Sequence, residues 1–190
     1  MNSMKRRSID THFSMCVQPA FIIGTNNKDS SHNFAPITWV SVTNEKDDDY
    51  LIVISMAGNT VTKQNVLRTG LLSVNLVSQR MLPLMDYFGT RSAKSGKKDK
   101  IPYSVSRGEK VDVPVLDASP WVYECRVRHT FETGQSTTFF CEIKNIQLDE
   151  QITCENLFDV DLTKLDPVIY SGMYHGIGPL LGKIGDFPKE

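Results

Sequence analysis

The sequence predicts a mainly β fold: short antiparallel strands forming a closed or half-closed barrel, with two short helices inserted. Three observations carry this. WVYECRVRHTFE (121–132) and TTFFCEIKNIQL (137–148) are rich in β-branched and aromatic residues and flank TGQS, which is a long-hairpin signature. The other apolar runs are short and bounded by Gly, Asn, Asp and Ser. Only two stretches, 59–70 and 78–89, carry helix patterns.

Taken in order, FIIGT (21–25) reads as a short buried strand, and NNKDSSHN supplies turn residues after it. FAPITWVSVT (34–43) resumes as a second strand, NEKDDD is a polar hairpin connection, and YLIVISM (50–56) is the most apolar strand. NTVTKQNVLRTG reads as a helix capped by Asn59, Thr60 or Thr62, with Gly70 just past its end. LLSVNLV (71–77) returns to strand. SQRMLPLMDYFG (78–89) reads as a second helix from a Ser78 cap, with Pro83 tolerable only in its first turns. A polar, lysine-rich connection over 90–110 leads to the long hairpin. The tail, LDPVIYSGMYHGIGPLLGKIG, is too irregular for a helix.

The chain has 190 residues, 21 basic and 22 acidic, for a net charge of −1. That balance gives no electrostatic case for a nucleic-acid partner. No apolar run approaches the ~20 residues that cross a bilayer. MNSMKRRSID has positive charge but no apolar segment after it, so no secretory leader is expected. Cys16, Cys125, Cys141 and Cys154 lack CxxC spacing. Cys125 and Cys141 are placed to face each other across the hairpin, but a reduced, cytoplasmic protein is the simpler reading. The expected organisation is an N-terminal extension over 1–16 and one domain over 17–190.

Motifs for other chemistries are missing. Gly176-Ile177-Gly178 lacks the βαβ context of a dinucleotide fingerprint, and neither GxxxxGK[ST] nor GxSxG occurs. His12, His32, His129 and His175 have no metal-ligand spacing. Positive signals are modest. The strand at 34–43 interleaves Thr38, Ser41 and Thr43 with Trp39 and Val40, more hydroxyls than a core strand needs. Asn65 and Asn75 stand where apolar residues would be cheaper, which suits a polar ligand. Thr60 is either a plain N-cap or part of an anion site at a helix N-terminus. KSGKKDK (94–100) is either a solvated loop or a lysine clamp for a phosphate.

The order and spacing of these segments resemble the flavin reductase-like family of FMN-binding proteins. The matching pieces are IIGT, then Asn33-Phe34-Ala35-Pro36-Ile37-Thr38, Ser55, Thr60, Asn65-Val66, and Thr69-Gly70 through Val74-Asn75. DYFGTRSAKSGKKDK, the Glu124-Cys125 hairpin and LDPVIYSGMYHGIG continue the likeness, which spans about 17–178. It implies an FMN-binding split barrel of Greek-key-like antiparallel strands. It also implies a homodimer with the flavin near the subunit interface.

Under this resemblance the strand around Asn33, Ala35, Pro36 and Ile37 offers backbone groups to the edge of the isoalloxazine, where Pro36 removes an N–H. Thr38 and Ser41 add hydroxyls, and Trp39 serves either the ring or the core. Ser55, Thr60 and Asn65 would lie toward the ribityl and phosphate groups, Ser92 and Lys100 near the phosphate, and His175 near the flavin from the tail. No side-chain acid or base is required, so no catalytic residue is expected. Two departures stand out: Asn59 replaces the basic residue that precedes the threonine in relatives, leaving the phosphate to Lys63 or the lysine loop, and Cys141 replaces a glycine. The resemblance implies an NAD(P)H:flavin oxidoreductase, passing a hydride from NADH or NADPH to FMN for an acceptor or partner oxygenase. The alternative is a flavoredoxin-type carrier that holds FMN and never meets nicotinamide.

Overall fold

The structure is a computed structural model, which describes residues 4–8, 10–11, 17–90, 101–153 and 160–182. The expectations placed on Ser92, Lys100 and the lysine-rich stretch therefore lie outside the described residues. Twelve strands, three helices and a 3-10 turn follow one another along the described chain.

The N-terminal half sets up β1 (Gln18–Pro19), β2 (Phe21–Asn26), β3 (His32–Ile37), β4 (Val40–Lys46) and β5 (Asp49–Ala57). Helix α1 (Val61–Thr69), β6 (Leu71–Leu76), a 3-10 turn (Gln79–Met81) and α2 (Leu82–Thr90) follow. The C-terminal half holds β7 (Val105–Arg107), β8 (Pro114–Leu116), β9 (Trp121–Thr133), β10 (Ser136–Leu148), α3 (Leu162–Leu165), β11 (Val168–Tyr170) and β12 (Tyr174–Gly176). No helix among the described residues is long and apolar enough to cross a membrane.

One seven-stranded antiparallel sheet, ordered β3-β2-β6-β9-β10-β5-β4, dominates the molecule. Small sheets, β1-β11-β12 and β7-β8, flank it. The expected split barrel is not what forms: among the described residues no sheet closes, and β3 and β4 remain as its two edges. The reason lies in the predicted strand at 34–43, which is two strands rather than one. The chain kinks between them, where Val40 N–H donates to the Thr38 carbonyl and Ser55 N–H to the Trp39 carbonyl. A closing ladder would have to run along β3, where Pro36 has no N–H to give, and along β4, whose side chains are mostly exposed. The edges are joined through Thr38 and Trp39 but do not pair.

Strand β2 is apolar at successive positions because both of its faces are covered. Phe21 and Ile23 pack with Ile52, Ile54, Leu72, Val74 and Phe139. Ala20 and Ile22 pack instead with Phe34, Met81, Leu84, Met85 and Leu116. The β9–β10 hairpin forms as its sequence indicates, turning at Gly134, whose φ of 53° suits glycine. Register shifts at Phe140/Cys141 and Ile143/Asn145 bend it. They set Cys125 opposite Ile143 and Cys141 opposite Val127, so the two thiols are not paired across the ladder. Both are free and buried. Burial raises the Cys141 thiol to about 12; burial also pushes the Cys125 thiol well above its ordinary value, with Cys141 and Glu124 adding to the shift.

Helix α1 is set by its ends. Thr60 is the N-cap, its hydroxyl accepting from Lys63 N–H, and Gly70 closes the helix at φ 67° with its N–H on the Val66 carbonyl. The second helix starts later than Ser78: the 3-10 turn intervenes, and the Ser78 hydroxyl makes no cap. Pro83 falls in the first turn of α2, where its missing N–H costs nothing. The tail, irregular by sequence, holds two short strands, β11 and β12.

The loop between β7 and β8 is hung from a single buried carboxylate. Glu124, fully buried on β9, accepts from the backbone N–H groups of Glu109 (3.0 Å), Lys110 (2.8 Å) and Val111 (2.8 Å). It also accepts from Asn145 Nδ2 and Gln147 Nε2, each at 2.8 Å. Burial alone would raise this carboxyl. The five N–H donors outweigh burial and hold it at about 2.

Candidate functional site

The residues named from sequence separate into an inner and an outer group. The inner group lies beneath α1. Asn33 Nδ2 donates to the hydroxyls of Thr62 (2.8 Å) and Thr25 (3.2 Å). Asn65 Nδ2 donates to Thr25 Oγ1 (3.1 Å) and Asn27 Oδ1 (2.8 Å), and its Oδ1 accepts from Arg68. Asn33, Asn65, Thr25 and Thr62 are all buried. These amides fasten α1 to the β2–β3 hairpin, and a buried network with its partners in place is rigid. Asn75 is likewise committed: it donates to the Ile22 carbonyl and the Ser73 hydroxyl, and accepts from Leu116 N–H.

The outer group sits where the sheet edges meet. Ala35, Pro36, Ile37 and Thr38 are half-buried, whereas Trp39 and Ser41 are exposed. Among the described residues the outer side of β3 has no ladder partner, so its outward backbone groups are available. Helix α2 closes in on this strand, and a Cβ at Gly89 would stand 3.2 Å from Pro36 Cγ. On β5, half-buried Ser55 shares a 2.8 Å hydrogen bond with the Thr138 hydroxyl of β10. Its N–H holds the Trp39 carbonyl, which ties the kink to β5.

Next along the chain, Thr60 heads α1. The first turn of α1 has no acidic residue, and the amides of Val61 and Thr62 lie where a helix offers no internal acceptor. Lys63 donates to the Gln135 carbonyl at 3.2 Å, which directs it toward the β9–β10 turn. His175 is exposed on β12, opposite Ile169. Among the described residues no cluster of His, Cys, Asp and Glu could hold a metal ion.

Taken chemically, the outer group is a row of hydrogen-bonding backbone and hydroxyls that ends at the positive pole of a nine-residue helix. That donor set suits a flat ligand with a polar edge and an anionic tail, so FMN fits the residues present. Thr138 was not foreseen. Its only sequence signal is a hydroxyl two residues into a strand, and its role depends on the β5–β10 register. Thr25 and Thr62 were missed as partners of the two asparagines for the same reason: they are adjacent only in space.

The family model described as "Flavin reductase like domain" matches residues 13–177. Among solved structures, the chain is similar to the flavoredoxin of Desulfovibrio vulgaris (Miyazaki F), at 25% identity and a TM-score of 0.84, covering 96% of this chain and 98% of that one. It is similar to the flavoredoxin of Methanosarcina acetivorans at 24% identity and a TM-score of 0.82, with 97% of each chain covered. The styrene monooxygenase flavin reductase of Pseudomonas putida S12 is more distant, at 14% identity and a TM-score of 0.69, covering 88% of this chain and 95% of that one. No curated protein sequence matches the chain.

Proposed function

The chain belongs to the flavin reductase-like domain family, and we propose that it is an FMN-binding flavoprotein working as a flavoredoxin-type electron carrier. The observation that carries this is the end-to-end similarity to flavoredoxins, against a weaker likeness to a monooxygenase flavin reductase. The outer group of residues supports the same reading. FMN, when bound, supplies reversible redox chemistry that no side chain offers, and the protein supplies position and electrostatics.

In this reading the backbone from Ala35 to Thr38 borders the ring, and Ser41 and Ser55 offer hydroxyls, Ser55 through its pairing with Thr138. Thr60 and the first amides of α1 hold the phosphate, with Lys63 the nearest cation of the helix. Trp39, exposed at the kink, covers the ring's apolar face. Asn33 and Asn65 act at one remove, keeping α1 fixed on the β2–β3 hairpin. His175, exposed on β12, adds a contact from the tail, and the family resemblance alone assigns Ser92 and Lys100 to the phosphate. The two open edges, with Val42, Tyr50 and Phe131 exposed on β4, β5 and β9, suit a homodimer.

The second reading is an NAD(P)H-dependent flavin reductase serving a partner oxygenase, and the likeness to the styrene monooxygenase reductase supports it. Anaerobic addition of NADH or NADPH to the FMN-loaded protein separates the two. A flavin absorption band that both nicotinamides leave unchanged supports the carrier. Bleaching within seconds to minutes, saturable in nicotinamide, replaces it with the reductase.

A further inference from the structure

At the far end of the β2–β3 hairpin lies a surface cleft of about 610 Å³, in the size range of small-molecule sites. It is not lined by any residue named above for the flavin. From His32, at its edge, to Ile37, beside the kink, strand β3 runs about 17 Å at the usual rise per residue.

The cleft is assembled from four separate stretches of chain: the β2–β3 turn, the end of α1 with the start of β6, strand β7, and the start of β8. Its cations are Lys28, Arg68 and Arg107, with His32 beside them, against a single lining carboxylate, Asp112. Arg107 Nε is 3.0 Å from Asp112 Oδ1, which leaves its terminal nitrogens for another partner. Arg68 is anchored on the Asn26 carbonyl (2.5 Å) and Asn65 Oδ1 (3.3 Å) through one nitrogen. Lys28 and His32 make no hydrogen bond or ion pair among the described residues. The nearby carboxylate of Asp29 is turned onto Ser31, whose N–H and hydroxyl it accepts. Leu71, Val105, Val113 and Pro114 give the cleft an apolar side.

The wall carrying Arg107 and Pro114 is held firmly in place. Glu124 holds the loop between β7 and β8 by three backbone amides. Ser73 donates to the Pro114 carbonyl at 2.5 Å, and Asn26 Nδ2 to the Asp112 carbonyl at 2.9 Å. A site fixed before its ligand arrives loses little ordering entropy on binding.

We propose that this cleft is a second ligand site, binding a small organic anion whose phosphate or carboxylate meets Lys28, Arg68 and Arg107 while its apolar body lies on Leu71, Val105, Val113 and Pro114. The site is independent of the flavin region and stands whether or not FMN binds there.

Calorimetric titration with adenosine 5′-monophosphate and with benzoate tests it, each run without FMN and again with one equivalent of FMN per chain to fill the flavin region, using inorganic phosphate as the bare-anion control. The expected result is a Kd of about 1 mM or tighter for at least one organic anion. In a Lys28→Ala/Arg107→Ala double variant that affinity falls at least about tenfold, while FMN affinity and Tm are unchanged; both side chains are exposed, so folding is preserved. The proposal is overturned if neither organic anion binds, if the double variant binds as well as the parent protein, or if FMN competes the anion away. Equal affinity for inorganic phosphate also overturns it, because the apolar side would then contribute nothing.

Discussion

Glu124 is the residue whose surroundings make the sharpest demand. A fully buried carboxylate is costly unless its lone pairs are met, and here five N–H groups meet them without a cation. Its folded-state value of about 2 lies below the ordinary 4.5. The stabilisation is therefore complete above the ordinary value and disappears as pH falls from about 5 toward 2, with about 3 kcal/mol at stake. Chemical denaturation at a series of pH values should show this slope, and Glu124→Gln should flatten it. That variant also turns an amide NH2 toward backbone donors, so we expect a loss of about 2–4 kcal/mol at neutral pH. The buried thiols make a second residue-scale prediction. Cys125 and Cys141, with raised pKa values, should resist alkylation in the native protein and react only on unfolding, as read by peptide mass spectrometry. Labelling of either in the native state would contradict their burial.

At the scale of elements, α1 and the hairpin beneath it behave as one unit. Asn33→Ala removes both hydrogen bonds of the Asn33 amide, taking the Asn33 donor from the Thr62 hydroxyl and leaving Thr25 with Asn65 alone. A cost of about 2 kcal/mol follows, and hydrogen exchange in α1 should quicken. Thr60→Ala should cost about 1 kcal/mol as a lost N-cap and, on the proposed function, should weaken FMN binding as well. Asn33→Ala separates support from contact, since its effect on FMN should track the mobility of α1. The helix was legible in the sequence because its signals are local: a hydroxyl cap at its start and Gly70, in the left-handed region, just past its end. The β9–β10 hairpin was legible for the same reason. The kink at Thr38–Trp39 was not, because 34–43 reads as one continuous β-prone run and the Ser55 N–H that holds the Trp39 carbonyl lies sixteen residues further along the chain. β8 escaped notice because Pro114-Val115-Leu116 is too short to show alternation. Asn65 suggested a polar ligand by sequence; it is buried, and its amide is met by Thr25 and Asn27, partners fixed by tertiary contacts that composition does not encode.

At the scale of the molecule, an open sheet whose two edges are unpaired among the described residues replaces the expected barrel, and this bears on assembly. Exposed edges invite pairing unless they are covered. We expect a homodimer in solution, with sedimentation equilibrium giving twice the mass of the chain. A monomer at all concentrations up to about 100 µM would remove the edge argument for dimerisation, that concentration corresponding to association too weak to matter. Fold and ligand region also depend on each other here. The same link that keeps β3 and β4 from pairing leaves backbone groups facing outward, and the same caps that define α1 leave its first amides free. The central claim is that this edge and this helix start hold FMN. The most direct measurement is an anaerobic titration of flavin-free protein with FMN, followed by quenching of flavin fluorescence, on the parent chain and on Thr60→Ala. One FMN should bind per chain with a Kd of about 1 µM or tighter, weakened about tenfold in the variant. Absence of quenching at ~100 µM protein, or equal affinity in the variant, would contradict it.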